Sequence, residues 1–249
     1  MRNRPGFIVI ALFLLLSACA VQRVPSTSTA GTGERSFDLR LKQGLLFLNE
    51  GEYEKAAGQF EAAIALNPNS PKAHNYSGIC SFQLKKYEPA RIQFERAAAL
   101  DPSFASAYNN LGGVYSIKLQ FEKAKAMFKK ALDLAPNLIS ANYGLGMLLI
   151  NLGESEEGAF YLSKAIALDP DFLEKNSEFV AAFSSAQFNT AEAFFACAKL
   201  YASTGNIEKT ADYLQRAKQA GFQAWGRILK EREFEKVRDD PRIKEFLIQ

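Results

Sequence analysis

Residues 124–136 read AKAMFKKALDLAP, and the same phrase recurs on both sides. Upstream stand AGQFEAAIALNP at 57–68 and ARIQFERAAALDP at 90–102; downstream stands GAFYLSKAIALDP at 158–170. The closing prolines, Pro68, Pro102, Pro136 and Pro170, are each 34 residues apart. An Asn-Pro or Asp-Pro pair stops a helix, because proline disfavours helical backbone in the residue before it. A fixed period of this length marks a stacked array. Each unit buries its apolar face only against its neighbours, so three or more are needed for stability.

Working outward, residues 37–70, 71–104, 105–138 and 139–172 each make one unit. The third carries Tyr108, Leu111, Gly112, Tyr115, Ala124, Phe128, Ala131 and Pro136. The first has Gly44, Phe47, Ala56, Phe60, Ala63 and Pro68; the second has Gly78, Ala90, Phe94, Ala97 and Pro102. The fourth keeps Leu145, Gly146, Ala165 and Pro170, but has Gly158 and Leu162 where the others have alanine and phenylalanine. These residues resemble the tetratricopeptide repeat, a helix-turn-helix of the same length. The resemblance implies an all-α, right-handed superhelix (an α-solenoid) of about five repeats. Gly44, Gly78, Gly112 and Gly146 are expected to let the paired helices approach. Phe60, Phe94 and Phe128 are expected to fill the gap to the next unit.

The phase breaks after the fourth unit. Residues 173–190, LEKNSEFVAAFSSAQFNT, read as a helical insertion with Phe179 and Phe183 on one face. A fifth unit resumes at 191–222 with Phe194, Tyr201, Gly205, Leu214 and Ala217. Residues 223–249 follow; their Asp-Pro-Arg tail resembles the ending of many bacterial tetratricopeptide proteins and reads as a capping helix, which a solenoid end requires.

The N-terminus has a different character. Residues 1–19 read MRNRPGFIVIALFLLLSAC, with Arg2 and Arg4 before ten unbroken apolar residues, Phe7 to Leu16. That run is half the length a transmembrane helix needs, about 20 residues, and fits a secretory signal peptide. Leu16-Ser17-Ala18-Cys19 resembles the bacterial lipobox, a plain signal peptide being the alternative. The resemblance implies cleavage before Cys19 and acylation (palmitate or a similar chain) on it; two or more chains anchor a protein stably. Ala20 implies sorting to the outer membrane, facing the periplasm, in a Gram-negative source. Residues 20–36, rich in Ser, Thr and Gly, read as a flexible tether.

Composition narrows the chemistry. The chain of 249 residues has a net charge of +3, of which Arg2 and Arg4 belong to the expected signal peptide. The near-neutral remainder argues against nucleic acid as a partner. One histidine and three cysteines leave few ligands for a metal, and no cofactor is expected. His74 stands where the family often has tryptophan and reads as packed, and with no second histidine a catalytic triad cannot be built. Glu50, Glu52 and Glu54 read as a solvated face. Cys80 and Cys197 fall among small buried positions, where cysteine behaves as a small hydrophobe. Two units separate them, too far for a disulfide.

What remains is a surface. In the family the concave groove is lined by first-helix residues, which map here to Leu45, Asn49, Asn75, Tyr76, Ile79, Asn109, Asn110, Tyr143 and Met147. Asn can pair with both N–H and C=O of an extended peptide. The alternative is that part of this surface packs against the inserted segment. Places that hold a carboxylate clamp in chaperone-tail-binding relatives are occupied here by Leu41, Leu45, Tyr76, Ser106 and Asn110, which does not support that specificity. Two functions from different classes follow. One is a non-enzymatic, lipid-anchored adaptor for a protein or peptide, similar in layout to lipoproteins that assemble the type IV pilus secretin or serve peptidoglycan hydrolases. The other is a small-ligand receptor or enzyme accessory subunit, which needs a closed pocket with converging polar groups.

Overall fold

The computed structural model describes residues 29–169 and 190–248. The first stretch is four helical pairs: α1 (Thr29–Asn49) with α2 (Tyr53–Leu66), α3 (Pro71–Gln83) with α4 (Tyr87–Leu100), α5 (Ala105–Ile117) with α6 (Phe121–Leu134), and α7 (Ile139–Asn151) with α8 (Ser155–Leu168). The second stretch holds α9 (Thr190–Thr204), α10 (Ile207–Gln219), α11 (Arg227–Lys230) and α12 (Pro241–Lys244), with 3₁₀ turns at Arg232–Phe234 and Glu245–Leu247. Each odd-numbered helix from α1 to α7 packs on the helix after it, and each of α2, α4 and α6 packs on the next pair. The described residues form an all-α solenoid and contain no strand.

Phenylalanine against glycine sets the spacing inside a pair. A Cβ added to Gly112 would lie 2.7 Å from the Phe128 ring, and one added to Gly144 in the next pair would also lie 2.7 Å from it. Phe128 thus fills the gap within its unit and the gap to the following one. The fourth pair departs in sequence and compensates in geometry. Leu162 replaces the ring, and the helices close up until a Cβ on Gly158 would sit 2.8 Å from Gly146 O. Gly158 in place of alanine is what permits that approach.

The turn joining each pair demands left-handed backbone at one repeating place. Gly51, Gly153 and Gly205 hold it with φ of 75°, 84° and 79°, and Lys85 and Leu119 hold it with φ of 59° and 58°. Second helices begin with an acid in the first turn, Glu54, Glu88, Glu122, Glu156 and Glu208. There a carboxylate complements the positive end of the helix dipole.

The segment expected as a tether, 20–36, is helical from Thr29 onward. No proline interrupts the chain between Pro25 and Pro68. A helix already nucleated on Phe37, Leu41 and Leu45 extends by one hydrogen bond for each residue added. The insertion expected at 173–190 lies outside the described residues except for Thr190, which opens α9. The signal peptide and Cys19 also lie outside them.

The C-terminal end is closed by short elements. Ile228, Phe234, Val237, Ile243 and Phe246 are buried in the same core as α7 to α10. The Arg227 guanidinium sits 4.5 Å from the Phe195 ring centre and pairs with Glu192 at 2.9 Å and Glu231 at 2.6 Å. Asp240 caps α12, accepting from Arg242 N at 2.9 Å, and Pro241 occupies the first helical turn. Hydrogen bonds from the Arg242 side chain and backbone hold the Asp240 carboxyl below its ordinary range.

Candidate functional site

The inner face of the first three pairs is built by α1, α3 and α5. Successive helices bring Asn75 and Asn110 together: Asn110 Nδ2 donates to Asn75 Oδ1 at 2.9 Å, and Asn109 Nδ2 donates to Asn110 Oδ1 at 3.2 Å. These amides tie α3 to α5. Asn75 and Asn109 are buried, and Asn110 is half-buried. Asn109 Oδ1 is buried and accepts no hydrogen bond. Beside the amides, Tyr76 stacks on Phe60 at 5.2 Å between ring centres. Leu41, Leu45 and Tyr76 are half-buried against Phe60, and Ile79 and Phe82 against the next pair. Asn49 is exposed at the end of α1.

Charge is nearly absent from α3 and α5, whereas α1 carries Glu34, Arg35, Asp38, Arg40 and Lys42. Across α3, α5 and α7 the only ionised side chain is Lys72. Beyond α1 the charges sit mostly on the second helices and turns, where they pair across units. Lys118 donates to Glu88 at 2.6 Å and Lys125 to Glu154 at 2.5 Å. Arg91 and Lys118 together pull the Glu88 carboxyl down to about 2. Such a face desolvates cheaply, and its polar groups are amides and hydroxyls.

Tyr143 and Met147 do not join it. Each is 1% exposed, in the core shared by α7, α9 and α10. Tyr143 lies beside Cys197, Arg216 and Tyr201, and burial raises its phenol well above the ordinary value. The expected groove therefore stops at α5, because α9 packs over α7. Of the nine expected residues, Leu45, Tyr76, Ile79 and Asn110 share one partly open strip, Asn49 is exposed at its edge, Asn75 and Asn109 lie beneath, and Tyr143 and Met147 are core.

His74 is structural. Its Nε2 donates to Pro68 O at 2.9 Å, and Nδ1 faces Gln93 Oε1 at 2.7 Å. Asn142, one place in a later unit that sequence reasoning passed over, does the same work: its Nδ2 donates to Pro136 O at 3.0 Å. A polar residue at the fourth place of a unit thus satisfies the carbonyl of the proline that ended the helix before it. Its recurrence at 74 and 142 was the available signal. Cys80 and Cys197 are free and buried, and burial raises both thiols to about 12.

A separate open cleft of about 540 Å³ runs between α8 and α9, lined by Ile166, Ala167, Leu200 and Tyr201 with small polar residues. The hydroxyls of Ser163, Ser203 and Thr204 there are spent on carbonyls of their own helices. Among the described residues no group of His, Cys, Asp or Glu could hold a metal ion, and no helix is long and apolar enough to cross a membrane.

The sequence profile of the tetratricopeptide repeat matches residues 41–105, and a second profile of the same repeat matches 105–138 and 139–172. Together they span just over half of the chain. No curated protein matches it in sequence. Solved structures do match in fold. A thermophilic tetratricopeptide protein of Thermus thermophilus is 20% identical with a TM-score of 0.54; the match covers 86% of this chain and 100% of that one. The PilF protein of Pseudomonas aeruginosa is 20% identical with a TM-score of 0.53, covering 82% and 97%.

Proposed function

Because the chain belongs to the tetratricopeptide repeat family, whose members serve as protein-interaction scaffolds, we propose that it is a non-enzymatic adaptor. Its partner is a protein that lays an extended, uncharged segment along α3 and α5. Its address is the periplasmic face of the outer membrane, through a lipid on Cys19. The observation that carries the proposal is the uncharged stretch of the inner face, with one ionised residue across α3 and α5. Such a face rewards apolar side chains and backbone amides, and offers nothing to a terminal carboxylate or a phosphate. The lipid anchor rests on the order of residues 1–19 alone.

The test is photocrosslinking in cells. A benzophenone amino acid replaces Tyr76 or Ile79 in the strip, or Ile92, which is exposed on α4. One protein partner should be captured from positions 76 and 79 and not from 92. Capture from 92 alone, or no protein adduct from the strip, refutes the groove. For the anchor, Cys19→Ala should abolish acyl labelling and release the chain from the membrane; unchanged palmitate incorporation refutes it.

A further inference from the structure

We propose that the outer face of α1 is a self-association surface, on which a second copy of this chain packs α1 against α1, antiparallel, about a two-fold axis. In every later pair this face is interior. Ala73, Ala107 and Ala141 hold one place of the unit and Cys80, Val114 and Leu148 another, and all six are fully buried against the preceding pair. The same two places in α1 are Leu39 and Leu46, and they are 54% and 56% exposed. The first unit is therefore built as an inner unit, with no pair before it among the described residues. A solenoid end otherwise needs a polar outer face.

The occupant follows from the two ends of the array. Head-to-tail stacking would need the helix-pair face of α9 and α10 open at the C-terminal end, but Ile228, Phe234, Ile243 and Phe246 pack over it. Among the described residues, that leaves only Leu229 and Ile248 as large apolar side chains exposed there. What remains is an isologous contact, in which one patch meets itself and closes as a dimer. The patch is self-complementary. Arg35, Leu39, Lys42, Leu46 and Glu50 fall four, three, four and four residues apart, so they share one stripe of α1. Placing Leu39 of one copy opposite Leu46 of the other, antiparallel, also places Arg35 opposite Glu50, while the two Lys42 side chains flank the axis and extend past the leucines to keep their ammonium groups in solvent. Each contact occurs twice. Leu41 and Leu45 lie on the other side of α1, so the inner strip stays free.

The full chain, solubilised in a density-matched detergent, is sedimented over a concentration series. A monomer–dimer equilibrium is expected. Leu39→Glu with Leu46→Glu should leave only monomer, with a melting temperature equal to that of the wild type at concentrations where the wild type is itself monomeric, since both side chains are exposed. Arg35→Glu should weaken the dimer about tenfold, because two symmetry-related pairs are inverted at once, and Arg35→Glu with Glu50→Arg should restore it. Leu39→Cys with Leu46→Cys should crosslink position 39 to 46 between chains on mild oxidation. A chain monomeric at every concentration, or a dimer that survives the double glutamate change, overturns the proposal. So does a monomer in which Leu39→Cys resists thiol labelling, which would assign the face to residues 19–28 of the same chain.

Discussion

α5 and α7 hold the same place in successive units and fare differently. α5 leaves Asn110 half-exposed on the inner strip, while every residue of α7 from Ala141 to Ile150 is buried. Both helices pair with their partners over the same glycine place, Gly112 and Gly146. What differs is what lies across them: α7 has α9 over it, while among the described residues α5 keeps a half-buried strip on its inner side. The repeat phrase thus determines how a pair is made, and the neighbour determines whether its inner face is groove or core.

Perturbations of decreasing size should separate those two levels. The largest effect is expected from Phe128→Ala, which removes the ring seated on both Gly112 and Gly144. It should cost about 3–5 kcal/mol in denaturant unfolding, as buried aromatic truncations do. If the loss is under about 1 kcal/mol, the ring is not the joint between units. Gly158→Ala comes next. Its methyl would meet Ile150 and the carbonyl of Gly146, so the fourth pair must spread, at about 1–3 kcal/mol. Gly158→Ala with Leu162→Phe restores the residue types of the other units and should recover part of the loss.

Asn110→Ala removes two amide hydrogen bonds, one of them between α3 and α5, and each contributes about 0.5–1.5 kcal/mol net. Partner binding should weaken by a few-fold to about tenfold, read by titration once the partner is in hand. Leu119→Gly should act in the opposite direction. Leu119 holds left-handed backbone that glycine adopts without strain, so the variant should gain about 0.5–1 kcal/mol, read as a higher Tm. The smallest effect concerns pH. Glu88 is held at about 2 in the folded chain, below its usual carboxylate value, so its contribution is present above about pH 4.5. That contribution is lost as pH falls toward about 2. Because Glu88 is exposed, wild type and Glu88→Gln should differ only slightly, and only above that window.

The solenoid was legible because its period is carried by residues with single jobs: proline to stop a helix, glycine to admit a ring, alanine at the tightest crossing. The amide pairs were half legible. Asn75, Asn109 and Asn110 could be placed on the inner face, but not their mutual bonds, which depend on how far α3 and α5 are rotated. Tyr143 and Met147 were misplaced by carrying the groove mapping one unit too far. The sequence of α7, ISANYGLGMLLIN, held the warning. It has no charge and is apolar on nearly every side, the pattern of a helix buried all round. The start of α1 was hidden for the opposite reason, since Thr, Gly and Ser are weak helix formers and read as linker.

The central claim, an inner face open along α3 and α5 and closed along α7, is tested most directly by thiol labelling of the native chain. Single cysteines replace Tyr76, Asn110 and Met147. Cys80 and Cys197 serve as internal references, because burial keeps their thiols protonated well above neutral pH. Cysteines at 76 and 110 should react readily, while one at 147 should react as slowly as Cys197. Equal, rapid labelling at 110 and 147 would mean that the groove runs on through α7. Slow labelling at all three would mean that the strip is covered and no partner segment can lie there.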